Sequence, residues 1–100
     1  MFFLNKNNIN DAVEECRDTK NAVLIDVREA EEFRAGHIPG ALNVPLSEID
    51  AINIPKDVPV FIYCLRGSRS KRAERMLKKM GYAKVRSIGG IMEYKGRIEK

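Results

Sequence analysis

Tryptophan is absent, histidine occurs once, and the two cysteines, Cys16 and Cys64, lie far apart with no Cys-x-x-Cys pair. One imidazole and two scattered thiols do not assemble the four-ligand sets that hold structural zinc, so no metal or other cofactor is expected. Two cysteines are too few for a disulfide-stapled scaffold, and free thiols suit a reducing compartment. No apolar run approaches the roughly 18–20 residues that cross a bilayer as a helix. The apolar start Met1-Phe2-Phe3-Leu4 gives way at once to Asn5 and Lys6, too soon for the apolar segment of a secretory leader. The expectation is a cytoplasmic protein with no membrane partner.

What is present suits a folded globule. The 100 residues are 44% hydrophobic and 32% charged, with 7 glycines and 4 prolines, a mix that excludes disordered and collagenous chains. That length predicts a single domain over residues 1–100. Charge is unevenly placed. Residues 1–62 carry a balance of −5 and residues 63–100 one of +9, within a net charge of +4. Such asymmetry points to an anionic ligand, an acidic partner or nucleic acid near the C-terminal half, or to a solvated basic helix face. No aromatic residue interleaves with the basic run from Arg66 to Lys79, which argues against nucleic acid.

Two short runs, Ala22-Val23-Leu24-Ile25-Asp26 and Val60-Phe61-Ile62-Tyr63, are apolar without polar alternation. Strands covered on both faces read this way, so both belong at the centre of a parallel sheet. A third strand is expected at Lys84–Ser87 and an edge strand at Phe2–Leu4. Asn8 or Asn10 can cap a first helix running to about Cys16, with Ile9, Val13 and Cys16 on one face. A short helix over Glu29–Ala35 ends at Gly36, and the Gly36–Pro45 segment reads as an ordered loop. Ser47 is placed to cap a single turn through Ile49 and Asp50. Ala73, Met76, Leu77 and Met80 predict an amphipathic helix from near Ser70, closed by Gly81. A last helix containing Met92 and Tyr94 is expected after Gly89-Gly90. Strands alternating with helices imply an α/β three-layer domain. In such sheets ligands bind beyond the carboxyl ends of the strands, which here means Asp26–Arg28 and the residues after Tyr63.

The segment Cys64-Leu65-Arg66-Gly67-Ser68-Arg69-Ser70 joins a buried strand to the start of an amphipathic helix. A tight strand-to-helix turn aims successive backbone N–H groups at one point, and the helix dipole adds partial positive charge there. Gly67 permits the positive φ that a tight cradle needs, and Arg66 and Arg69 bring full charges. A thiol in that field has a depressed pKa and is a nucleophile near neutral pH without a histidine base. The bland alternative is a small buried hydrophobe at a strand end, the commoner fate of cysteine. Gly67, both arginines and the strand–helix setting favour chemistry.

These residues resemble the rhodanese-like family of sulfurtransferases over nearly the whole chain. Cys64-x-x-Gly67-x-Arg69-Ser70 is similar to the family's active-site loop. Asp26-Val27-Arg28, Glu32-Phe33, Gly36-His37-Ile38-Pro39-Gly40-Ala41 and Asn43-Val44-Pro45 follow its other long signature, and Gly89-Gly90 corresponds to its paired glycines. The resemblance implies a rhodanese-like α/β domain with a central, mainly parallel sheet flanked by helices. It implies transfer of a sulfane sulfur from thiosulfate or another small anionic donor to a thiophilic acceptor, cyanide or a thiol, with a sulfur-relay protein as a further partner. Cys64 would carry the sulfur as a persulfide, cradled by the backbone amides of Leu65, Arg66, Gly67, Ser68 and Arg69. Asp26, Arg28 and Ser70 would support the loop, with Asp26 accepting from Arg69, and a plain turn-capping role for Asp26 and Arg28 is an equal alternative. The loop has one residue fewer between its Cys and Arg than phosphatase and arsenate-reductase relatives carry, which suits a single sulfur atom over a tetrahedral oxyanion. A non-catalytic interaction module on the same fold is the rival from another class. His37 is expected to hydrogen-bond its own loop, Cys16 to be core, and Tyr63 and Tyr94 are candidates for the pocket mouth. The sequence leaves oligomeric state open.

Overall fold

A computed structural model describes residues 8–100. The edge strand expected at Phe2–Leu4 lies outside them. Four strands, β1 (Val23–Asp26), β2 (Leu42–Asn43), β3 (Val60–Cys64) and β4 (Val85–Gly90), form one sheet in the order β2-β1-β3-β4. Every pairing is parallel. All five residues of β3 are buried, because a central parallel strand has helices or loops over both of its faces.

Side chains alternate between the faces. Ile25, Val60, Ile62, Cys64 and Val85 pack with Ala73 and Leu77 of α3 (Ser68–Lys79). Leu24, Phe61, Tyr63 and Ile88 pack with Ile9, Val13 and Cys16 of α1 (Ile9–Asp18). The result is the three-layer α/β arrangement that the alternation of apolar runs predicts. Asn8 is the N-cap of α1, accepting from the Asp11 amide at 2.9 Å. At its other end α3 closes in a Schellman motif, with Gly81 N donating to Lys78 O and Tyr82 N to Leu77 O.

Several element boundaries differ from expectation. Helix α3 begins at Ser68, since Gly67 supplies the turn that lets it start at once. The Gly36–Pro45 loop contains β2, whose Leu42 and Asn43 pair with Ile25 and Asp26; a strand this short leaves no periodicity to read. The expected turn after Ser47 is a 3-10 turn over Leu46–Ala51 with Pro45 as its N-cap. Gly89-Gly90 complete β4 rather than lead into a helix, and only a 3-10 turn, Ile91–Glu93, follows. Between Ala30 and Ala35 lies α2, as predicted. Among the described residues no helix is long and apolar enough to cross a membrane.

Candidate active site

Cys64 is the last residue of β3, and Leu65–Gly67 turn the chain directly into α3. Gly67 lies in the left-handed region at φ +112°, ψ −18°, where a side chain would be strained. That turn folds its amide back onto the cysteine, and Gly67 N–H donates to Cys64 Sγ at 2.9 Å. One helical turn on, Ser70 N–H donates to the same sulfur at 3.4 Å. Ser70 Oγ donates to Gly67 O at 3.0 Å and shares a 2.7 Å hydrogen bond with Ser87 Oγ. The helix start is therefore tied both to its own turn and to β4.

Only 1% of Cys64 is exposed. Burial pushes its thiol pKa up, but the Ser70 amide and hydroxyl and then the Gly67 and Arg66 amides outweigh this, leaving it below the usual thiol range. Cys16 shows the contrast. In the core under α1 it lacks such donors, and burial pushes its pKa up to about 11. Two buried thiols thus have opposite character, and the turn after β3 accounts for the difference.

The paired glycines explain how so tight a loop is held. Gly90 sits beside Cys64 in the β3–β4 register, and a Cβ there would land on the Leu65 carbonyl oxygen and the Arg66 Cα. Only glycine lets β4 approach the loop this closely. Met92 N–H then donates to Leu65 O at 3.2 Å, so the end of β4 forms the loop's back wall.

Arg69 does not pair with Asp26, which corrects the sequence expectation. Its NH1 and NH2 donate to Glu32 Oε1 and Oε2 at 2.8 and 3.1 Å, a bidentate pair between α3 and the first turn of α2. Hydrogen bonding from Arg69, against the opposing effect of burial and with help from the Glu29 amide, pulls the Glu32 pKa to about 2. Asp26 is fully buried and taken up by Arg28, accepting from its backbone N, Nε and NH2 at 2.9, 3.0 and 2.7 Å. Asp26 shares the α1 side of the sheet with Leu24, whereas Arg69 begins the helix on the other side, so the two are badly placed to meet. Arg28 NH2 also donates to Gly36 O at 2.7 Å, fixing the Gly36–Pro45 loop to the sheet end. Asp26 and Arg28 therefore brace the neighbouring loop.

Among the remaining site residues, Ser68 and Arg66 are exposed, and both line an open cavity of about 580 Å³ beside the loop together with Lys71 and Ser87. Cys64 lies behind that wall and is not part of its lining. Leu65 is half-buried and serves the loop through its carbonyl. His37 packs on the Phe33 ring, its Nδ1 lies 2.9 Å from Phe33 O, and its backbone pairs with Glu99, so its ring is tied to α2 rather than to its own loop as expected. Tyr63 is not at a pocket mouth: it is fully buried, and its hydroxyl accepts from Ile38 N at 3.1 Å. Tyr94 lines a separate cavity against α1 with Asn10 and Val13. The residue that sequence reasoning undervalued is Glu32. Its signal was present in Glu29-x-x-Glu32, a capping box in which Glu32 accepts from the Glu29 amide at 2.8 Å.

A cysteine approached by converging amides thus lies at the carboxyl end of a parallel sheet, at the start of a helix. The chain matches the family described as rhodanese-like domain over residues 10–97 and belongs to that family. It is 38% identical over 73 residues to the thiosulfate sulfurtransferase PspE of Escherichia coli (strain K12), covering 69% of this chain and 70% of that protein. It is 42% identical over 83 residues to the protein YqhL of Bacillus subtilis (strain 168), covering 80% of this chain and 66% of YqhL. Among solved structures it is similar to a rhodanese with anions from E. coli, with a TM-score of 0.72 and 33% identity, covering 79% of this chain and 98% of that one.

Proposed function

We propose that the protein is a sulfurtransferase that carries a sulfane sulfur as a persulfide on Cys64, with thiosulfate as a competent donor. The observation that carries this reading is the convergence of the Gly67 and Ser70 amides on Cys64 Sγ. The Cys64 thiolate attacks the outer sulfur of thiosulfate, the S–S bond breaks, and sulfite leaves with the electron pair. A thiophilic acceptor, cyanide or a thiolate, then attacks the terminal sulfur of the persulfide and returns Cys64 as thiolate. Charge is conserved through both steps, and no oxidant is required. Amides already oriented toward the sulfur stabilise anionic sulfur in both forms without reorganisation. Arg69, held by Glu32, fixes the helix start, and the exposed Arg66 at the cavity edge supplies a cation for the incoming dianion. The similarity to the thiosulfate sulfurtransferase PspE and to a rhodanese solved with anions supports this assignment.

The test is incubation with thiosulfate followed by intact mass analysis and a cyanide assay. The expected result is a gain of one sulfur atom and turnover in the native protein and in Cys16→Ser, with neither in Cys64→Ser. Sulfur gain and turnover in Cys64→Ser would overturn the assignment. Normal folding with no persulfide from thiosulfate, polysulfide or a small persulfide would favour the interaction-module alternative.

A further inference from the structure

Helix α3 carries far more positive charge than its own structure uses. Lys71, Arg72, Arg75 and Lys79 are exposed. At about 100° per residue they fall within an arc of roughly 100° opposite the buried Ala73 and Leu77. Arg66 stands exposed beside the N-terminal end of that arc. Arg69 and Lys78 have carboxylate partners in Glu32 and Glu74, but none of the five others has one within 4.0 Å. Residues 1–7 contain no carboxylate side chain that could supply one. Four of these cations, Lys71, Arg72, Arg75 and Lys79, lie along a helix of 12 residues, about 18 Å long at about 1.5 Å per residue, with Arg66 in the turn before it.

We propose that this face of α3 is the docking surface for an acidic protein that presents a cysteine persulfide to Cys64. The inference rests on the sulfurtransferase reading and names a partner for that same site. A small anion such as thiosulfate needs only the loop, and cations a full helix away do nothing for it. A row of carboxylates on a protein matches the stripe in sign and reach, and one end of the stripe lies at the loop that holds Cys64. Nucleic acid fits less well. The stripe has no aromatic side chain for base stacking. In the transfer step the Cys64 thiolate attacks the outer sulfur of the partner persulfide, the partner's S–S bond breaks, and the partner leaves as thiolate. The proton state of the moving sulfur is unchanged.

The probe is a short synthetic peptide of alternating Glu and Asp bearing one cysteine persulfide, beside a Gln/Asn peptide of the same length. Binding is read by fluorescence anisotropy of the thiol peptides on Cys64→Ser protein, which needs no sulfur chemistry, and transfer is read on the native chain. The variants are Arg72→Gln/Arg75→Gln/Lys79→Gln together, and Arg75→Glu alone as a milder perturbation of the fold. At low ionic strength the acidic peptide is expected to bind and to donate at least about tenfold better than the neutral one, a difference of about 1.4 kcal/mol. High salt or the triple variant removes that advantage, Arg75→Glu reduces it, and turnover of thiosulfate is unchanged. Equal binding of the two peptides, or an advantage that survives the triple variant, overturns the proposal. An RNA oligomer of equal charge that binds more tightly and depends on the same three residues also overturns it, in favour of nucleic acid. Peptide binding that follows these expectations while Cys64 accepts sulfur from no donor supports the docking face and overturns the sulfurtransferase reading, so the two failures are distinguishable.

Discussion

The adjacent glycines 89 and 90 separate a clash from backbone strain, and only one of them touches the thiol's environment. Gly90 has an ordinary extended backbone at φ −123°, but a Cβ there would meet the Leu65 carbonyl and the Arg66 Cα. Backbone cannot swing aside as a side chain tip can, so Gly90→Ala has to push the loop away from β4. Overpacking of this kind costs about 1–3 kcal/mol, which lowers Tm by roughly 4–8 °C per kcal/mol in a domain of this size. The displaced segment contains the Gly67 amide that sits 2.9 Å from Cys64 Sγ. A hydrogen bond to a charged group is worth about 1.5–3 kcal/mol, so losing it should raise the thiol pKa. Gly89→Ala differs. Its φ of +111° makes alanine strained, but the nearest atom, Ile9 Cβ, is 3.9 Å away. It should lose about 1 kcal/mol or more of stability with little change at the sulfur. Alkylation by iodoacetamide as a function of pH, in a Cys16→Ser background, reads the Cys64 pKa in each variant. Gly90→Ala is expected to move the alkylation profile to higher pH and to slow the reaction below its midpoint, and Gly89→Ala is not. A native thiol pKa in Gly90→Ala, or equal shifts in both, would refute the idea that β4 holds the cradle in place.

Other perturbations have equally definite outcomes. Glu32 has its pKa lowered to about 2 in the folded chain, so its pair with Arg69 stabilises fully above about pH 4.5 and the benefit is lost as pH falls toward 2. Glu32→Gln should cost about 1 kcal/mol or less, because both side chains are about one-third exposed. In urea titrations the gap from the native protein should be present at pH 7 and closed near pH 2; a gap independent of pH would refute the pairing. Asp26→Asn leaves Arg28 without its buried counter-charge and should destabilise by about 3–5 kcal/mol, seen as a lower urea midpoint, whereas a near-native midpoint would contradict the bracing role. Ser70→Ala keeps the amide but removes the hydroxyl that holds Gly67 O and Ser87 Oγ. It should raise the Cys64 pKa, measured by the same alkylation profile, and an unchanged profile would contradict the hydroxyl's part in holding the thiolate.

The central strands and α3 were legible because their signals are redundant: β3 is apolar along its whole length, and α3 repeats its apolar residues at helical spacing. The cradle was legible for a related reason, since Gly67 between a buried strand and an amphipathic helix leaves the backbone few alternatives. Partners among the charged groups were harder to read. Asp26 lies close in sequence to Arg28, and the choice between Arg28 and Arg69 depends on which face of the sheet each occupies, a three-dimensional fact. Glu32 was hidden for the converse reason. Its capping box is local, but its pair with Arg69 spans 37 residues and depends on the packing of two helices. The two-residue strand β2 and the 3-10 turn after Gly90 are set by their neighbours rather than by their own propensities.

The most direct test is a thiolate titration by ultraviolet absorbance on the Cys16→Ser protein, set against a short unstructured cysteine peptide. If backbone amides hold Cys64 as an anion, its midpoint falls below that of the peptide, even though the side chain is almost wholly buried. A midpoint at or above the peptide's would mean that burial outweighs the donors, and Cys64 would then be a core residue and not a nucleophile.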